Sequence, residues 1–283
     1  MTIIFNTAPQ GSDEWLAIRR GAITGSRFKD ARDRSDGLTE QQRVYVRAVR
    51  EGADESTAAA TAGYKKTPTA DLIAKAIAGT LEMTWSAAAM GYAYDLARER
   101  EGGTAPETYV NAAMRLGTQE EPIARLTYEA ETGQFVEEVG FAHTADGKFG
   151  LSADGRVLPK GAVEIKTMVS SATLFKALVD EDISEYRDQC VGAMWLLGLE
   201  WVDLCLWAPD LKTLHVIRIE RDDNEIDALE ADLLAFDRLV EQLRAKLRRR
   251  LHPEVIDAPV REIEPATTAT TTASTVDLLA PAF

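Results

Sequence analysis

The chain has 283 residues, 45% of them hydrophobic and 28% charged, with a formal net charge of −14. That length suits one large domain with an insertion or tail, and the apolar fraction supports a sizeable core. Two cysteines and three histidines without ligand spacing argue against an iron–sulfur cluster, a zinc site and histidine-based catalysis, and Cys190 and Cys205 are expected to pack in the core.

Along the chain, Asp13–Arg20 reads as a helix, Gly21–Gly25 as a turn and Ser26 as the N-cap of a second helix. Arg19 and Arg20 beside a capped helix N-terminus would favour phosphate; ordinary solvated arginines are the alternative. From Trp15 to Arg50 nine bases stand against four acids, so the acidic whole does not preclude a nucleic-acid partner. Residues 38–67 give a helix starting at Leu38 and Thr39, a break at Gly52, an alanine-rich helix over Ser56–Ala62 and a basic exit through Lys65 and Lys66. Small residues at a tight helix crossing suit a helix-turn-helix, and this insertion resembles the DNA-binding helices of phage terminase small subunits. A plain helical hairpin is the other reading.

Residues 69–101 continue helical, with Trp85 and Tyr92 as core anchors, and residues 106–132 form a long helix containing Gly117-x-x-x-Glu121. Pro122 is expected to mark that helix's first turn, leaving Glu121 at a helix N-terminus where the dipole favours its anion; a surface acid is the alternative. A strand over 134–142 leads into Phe149–Thr167, read as two strands joined by Pro159-Lys160-Gly161, with Asp154 on the first and Glu164-x-Lys166 on the second. Alternation puts Glu164 and Lys166 on one face, Val163 and Ile165 on the core face, and pairing brings Asp154 beside the charged couple. Two carboxylates form a hard-oxygen site for Mg²⁺, and a neighbouring lysine can orient or deprotonate water and neutralise developing charge. The alternatives are a solvated strand face and simple Asp-Gly turn chemistry.

Helices over 171–180 and 184–199 follow, the second carrying Tyr186, Gln189, Cys190, Met194 and Trp195. Strands 201–207 and 213–220 form a hairpin through Pro209-Asp210. A helix over 223–250 ends in Arg248-Arg-Arg250, and Glu220–Glu241 carries nine acids against two bases, expected as an exposed face that repels DNA. From His252 the Pro/Thr/Ala-rich composition predicts disorder. With no apolar run of about eighteen residues and no signal pattern, a soluble cytoplasmic protein of a bacterium or phage-infected host, without membrane contact, is expected.

Five ordered motifs carry a family resemblance: Trp15-x-x-x-Arg19-x-Gly21-x-Ile23-Thr24-x-Ser26, Gly117-x-x-x-Glu121, Ser152-Ala-Asp-Gly155, Glu164-Ile-Lys166, and Tyr186-x-x-Gln189 followed by Met194-Trp195. Together they resemble the lambda exonuclease, or YqaJ-type viral recombinase, family of PD-(D/E)xK nucleases, from Trp15 to about Arg249 apart from the insertion. The resemblance implies an α/β fold with a mixed central sheet flanked by helices. The exonuclease domain would span 1–251, including the 38–67 insertion, with a tail over 252–283.

The same resemblance implies roles. Asp154 and Glu164, assisted by the Ile165 carbonyl, would hold two Mg²⁺ ions, with Mn²⁺ as a substitute. Glu121 would be a further acid at the second metal, Lys166 would position the nucleophile and Gln189 would support it. Arg19 and Ser26 would grip a 5′-terminal phosphate, with Ser152 near the scissile strand. Family members often place a further phosphate-binding arginine after Glu-x-Lys; Met168–Thr173 has none, which leaves Lys176 or Arg20 as candidates. The implied activity is 5′–3′ digestion of one strand from double-stranded DNA ends by a homotrimer. It leaves a 3′ overhang for a phage single-strand annealing protein. An internal-cutting endonuclease and a non-catalytic DNA-binding or packaging factor are the alternatives.

Overall fold

The computed structural model describes residues 2–104 and 112–253. Strand β1 (Ile3–Phe5) is followed by helix α1 (Asp13–Arg19), β2 (Ile23–Thr24), a 3-10 turn (Gly25–Arg27) and α2 (Phe28–Arg32). A ribbon of β3 (Arg34–Ser35) and β4 (Thr84–Trp85) brackets α3 (Glu40–Arg50), α4 (Glu55–Thr61) and α5 (Asp71–Ala78). The chain continues through α6 (Ala87–Arg100), α7 (Ala112–Thr132), β5 (Val136–Glu137), β6 (Ala142–Thr144), β7 (Phe149–Leu151), β8 (Gly155–Val157) and β9 (Gly161–Thr167). Helices α8 (Ser171–Leu178) and α9 (Ser184–Leu197) then lead to β10 (Trp201–Ala208), β11 (Thr213–Glu220) and α10 (Asp223–Leu251).

The core grows from two runs too apolar for a half-wet sheet. β9 and β10 are parallel neighbours, in register from Trp201 opposite Gly161 to Trp207 opposite Thr167. On one face Ala162, Val202, Leu204 and Leu206 pack with Cys190 and Met194 of α9 and Leu229, Leu233 and Phe236 of α10. On the other, Val163, Ile165, Cys205 and Trp207 pack with Ala124 and Tyr128 of α7. A parallel pair covered on both sides requires this near-continuous hydrophobicity, and the α8–α9 crossover supplies the connection that parallel strands need. Antiparallel neighbours complete a five-stranded sheet of order β11-β10-β9-β8-β5, and a second, four-stranded sheet runs β1-β6-β7-β2. The mixed α/β architecture expected from sequence is therefore present. Both cysteines are free and buried, as expected.

Four local expectations are corrected. The single strand over 134–142 is two short strands in different sheets, β5 pairing with β8 and β6 pairing with β7. Helix α7 runs through Pro122 instead of starting there, so Glu121 lies within the helix. Proline lacks the N–H that would reach the carbonyl four residues back, and burial of Ala124 and Tyr128 against the sheet holds the helix together across that gap. The onset expected at 106 lies outside the described residues. Ser26 is not a helix N-cap: it sits inside the 3-10 turn, and α2 has Arg27 at its N-cap with no side-chain cap bond. Of the nine acids over Glu220–Glu241, four are turned to partners across the fold: Asp232 meets Arg32, Asp237 meets Arg100 and Lys148, Glu241 meets Arg100, and Glu225 meets Arg187, while Glu220, Asp222, Asp223 and Asp227 are exposed as expected.

The helical insertion is larger than 38–67. A capping box between Thr39 and Gln42 starts α3, and Asp54 caps α4 through the Ser56 and Thr57 N–H groups. Ile73 and Ala76 of α5 then join Tyr45, Val46, Ala58 and Ala59 in a separate small core. The unit therefore closes only at β4. No helix of the described residues is long and apolar enough to cross a membrane. The tail expected to be disordered lies, from residue 254, outside the described residues.

Candidate active site

Asp154 stands in the bend just before β8. Its neighbour must be glycine, because a Cβ on Gly155 would lie 2.1 Å from Val136 Cγ1 and hold β8 away from β5. Gly155 pairs with Val163, so one further step of the antiparallel register sets Asp154 across from Glu164. The Ile165 N–H donates to Asp154 Oδ2 at 2.6 Å. Glu164 is 3% exposed, and its Oε1 accepts from Lys166 Nζ at 2.7 Å and from Gln189 Nε2 at 2.5 Å. Lys166 Nζ also donates to Gln189 Oε1 at 3.1 Å and lies 5.8 Å from the Tyr186 ring centroid. Glu121 comes from α7, where Arg125 Nη2 donates to its Oε1 at 2.7 Å while also pairing with Glu138. Glu121, Ile165, Lys166 and Gly117 line a cleft of about 360 Å³.

The electrostatics follow from burial and crowding. Burial raises the Asp154 pKa to about 7, with the Glu164 carboxylate adding to the rise against the pull of Lys166. Glu164 is raised by burial, which Lys166 opposes, and Glu121 is raised by burial and then by Asp154. Burial works against the Lys166 ammonium, but Glu164 and Asp154 outweigh it and hold its pKa above the ordinary lysine value. The pocket thus carries more acid than its lysine neutralises, and hard oxygen donors in that condition fit Mg²⁺. In the present arrangement Lys166, Gln189, Arg125 and the Ile165 N–H occupy the carboxylates. No three His, Cys, Asp or Glu side chains among the described residues already close a metal cage.

A second group adjoins the first. Trp15 is buried, donates through Nε1 to Ser152 Oγ at 3.4 Å, and has the Arg19 guanidinium 4.6 Å from its ring centroid. Arg19 Nη2 donates to Thr24 Oγ1 at 3.2 Å and to Ser26 Oγ at 3.4 Å. Burial lowers the Arg19 pKa, and no carboxylate among the described residues pairs with it. A half-buried guanidinium beside two hydroxyls suits an anion. Gly25 joins the two groups: a Cβ there would sit 2.9 Å from Leu151 Cβ and 3.9 Å from Gln189 Cγ, so the turn that carries Ser26 rests against α9 at Gln189.

The structure thus gathers Asp154, Glu164, Lys166 and Gln189 in one cluster, with Glu121 across the cleft, and Arg19, Ser26 and Ser152 in another. Arg20 is exposed and outside both, and Lys176 pairs with Asp182 at 3.3 Å. Arg125 is a site residue that motif reading does not single out, and Thr24 is one to which the first motif gives no role. The Glu121–Arg125 spacing of four on a helix was the available signal for Arg125.

A domain model described as YqaJ-like viral recombinase matches residues 14–200. Among solved structures, the chain is similar to an alkaline exonuclease, LHK-Exo, from Laribacter hongkongensis. Identity is 27% over 86% of this chain and 99% of that one, with a TM-score of 0.60. The structure of the same enzyme in complex with dAMP gives 27% identity, the same coverage and a TM-score of 0.61. No curated protein matches. A match over well beyond half the chain, on the residues that build both clusters, makes this protein a member of the YqaJ-like viral recombinase family.

Proposed function

We propose that this protein is a Mg²⁺-dependent exonuclease that digests one strand of duplex DNA from the 5′ end and leaves a 3′ overhang for recombination by strand annealing. The observation that carries the reading is Glu164 and Lys166 held by Gln189, with Asp154 fixed beside them by the Ile165 N–H, next to the anion pocket of Arg19 and Ser26. Family membership and the likeness to an alkaline exonuclease support the same chemistry.

Asp154, Glu164 and the Ile165 carbonyl would hold one ion and Glu121 would contribute to a second; Mn²⁺, with the same taste for oxygen, would substitute. When bound, such ions supply Lewis-acid charge and an activated water for in-line attack. The protein's own groups supply orientation. Lys166, ion-paired with Glu164, is placed to donate to water and to the oxygens on which charge develops. Gln189 fixes both Glu164 and Lys166 with one amide. Arg19 and Ser26 would receive the terminal 5′ phosphate, while Ser152, held by Trp15, would meet the strand between that phosphate and the cut. The chain would work as a ring-shaped homotrimer on duplex ends, an assembly common in the family it resembles, passing its product to a phage annealing protein.

Digestion of end-labelled linear duplex tests the reading. Asp154→Ala and Lys166→Ala should each lower the cleavage rate by about a hundredfold or more while duplex binding persists, because their charge acts mainly in the transition state. Wild-type rates in both variants would exclude catalysis at this cluster. Cutting of a covalently closed circle would point to the endonuclease alternative.

A further inference from the structure

Arg27 is a second cation on the turn that carries Ser26. It follows Ser26 in the 3-10 turn, and its guanidinium carbon lies 4.1 Å from the centroid of the Tyr92 ring. Tyr92 is 6% exposed, and its hydroxyl accepts from the Thr24 N–H at 3.1 Å. The Thr24 side chain in turn accepts from Arg19 at 3.2 Å. Two guanidiniums, one over Trp15 and one over Tyr92, therefore meet at the Thr24–Ser26 segment. Each is oriented by an aromatic face and not by a buried carboxylate. Arg27 Nε pairs with Asp30, and both side chains of that pair are about two-fifths exposed, so the contact fixes a tilt without removing the charge.

Burial lowers the Arg19 pKa, Tyr92 and Glu99 pull it back, and Arg27 lowers it slightly further, so the two cations are near enough to feel each other, and both act on the Tyr92 hydroxyl. Asp30 at Arg27 and Glu99 near Arg19 offset part of that repulsion, and a bound phosphate would offset more of it. The loop that could carry another base does not, since Met168–Thr173 holds none and Lys176 is engaged by Asp182.

We propose that Arg27 is the second guanidinium of the 5′-phosphate pocket, closing on the terminal phosphate together with Arg19 and Ser26 in place of a base after Glu164-x-Lys166. The inference rests on the exonuclease reading above and specifies how that pocket selects its ligand.

The test compares the affinity of the intact protein for duplexes ending in 5′-phosphate and in 5′-hydroxyl, measured in chelator so that no cleavage occurs. Wild type should prefer the phosphate, and Arg27→Gln should lower the ratio of the two affinities about tenfold, the scale of one charge-assisted hydrogen bond. Arg19→Gln should lower it similarly, whereas Lys176→Ala should leave it where it was. Thermal melting checks that each variant is folded; Arg27→Lys, which keeps the charge but loses the planar stack, should fall between wild type and Arg27→Gln. A ratio unchanged in Arg27→Gln while Arg19→Gln loses it overturns the role of Arg27 and leaves the exonuclease reading standing. A wild type indifferent to the phosphate overturns both the pocket and the inference.

Discussion

Asp154 shares its buried environment with Glu164 and has only one nearby lysine to offset both, and its pH response follows from that. Its folded-state pKa of about 7 lies above the ordinary 3.8, so the folded protein keeps a proton that the unfolded chain has released across that interval. In the metal-free protein this carboxyl contributes stability that is full below the lower value and lost as pH rises towards the higher one. Divalent ions bind the anion, so the rise in Tm on adding Mg²⁺ is expected to grow as the pH climbs through about 7. Differential scanning fluorimetry across that range checks it. Asp154→Asn should reduce both the metal-free slope and the growing Mg²⁺ gain, leaving the part owed to Glu164 and Glu121, and a gain independent of pH in wild type would contradict the account of this side chain.

Among the elements, the helical unit between β3 and β4 is the most separable. It has its own core of Tyr45, Val46, Ala58, Ala59, Ile73 and Ala76, and the ribbon that carries it pairs Arg34 with Trp85 and Ser35 with Thr84. Joining Ser35 to Thr84 by an Asn-Gly turn would close that ribbon as a hairpin. The protein lacking 36–83 is expected to melt cooperatively and keep its chelator-sensitive digestion; loss of folding would show that the unit is structural. Weaker duplex binding in that protein would mark the unit as a DNA reader, and unchanged binding would mark it as decoration.

The same scale shows what a sequence can and cannot convey. The β10–β11 hairpin, the Thr39 start of α3 and the Glu164-x-Lys166 strand are written in local pattern: apolar runs, a turn dipeptide, a capping box and strict alternation. The split of 134–142 between two sheets depends on pairing with β7 and β8, which no local signal encodes. Pro122 obeys a local rule that burial of Ala124 and Tyr128 overrides. Asp154, Glu164 and Lys166 were legible as one cluster because the register is short. The union of Arg19, Ser26 and Ser152 with Gln189 was legible only through a family pattern, since Gly25 and Leu151 make that contact across more than a hundred residues.

For the whole molecule, the acid of α10 is cohesive. Asp237 is 4% exposed and accepts from Arg100 Nη1 at 2.6 Å and Lys148 Nζ at 2.7 Å, and Arg100 Nε also donates to the Gly21 carbonyl. This joins α10, α6, the strand region and the segment bearing the anion pocket. Asp237→Ala would leave the nearly buried Arg100 with Glu241 as its remaining acid and Lys148 without its partner, and is expected to cost about 2 kcal/mol in urea unfolding; a change near zero would mean that Glu241 and water replace the acid at that seam.

The central claim is that the converged acids and Lys166 make an end-dependent, metal-requiring nuclease. The most direct measurement is digestion of linear duplex labelled at either terminus, with 5′-phosphate ends, in Mg²⁺ and in chelator, for wild type and Asp154→Ala. The account requires label at the 5′ terminus to be released first, the 3′-labelled strand to shorten only from its far end, and both to stop in chelator or in the variant. Digestion that proceeds in chelator, or that Asp154→Ala carries out at the wild-type rate, would contradict it.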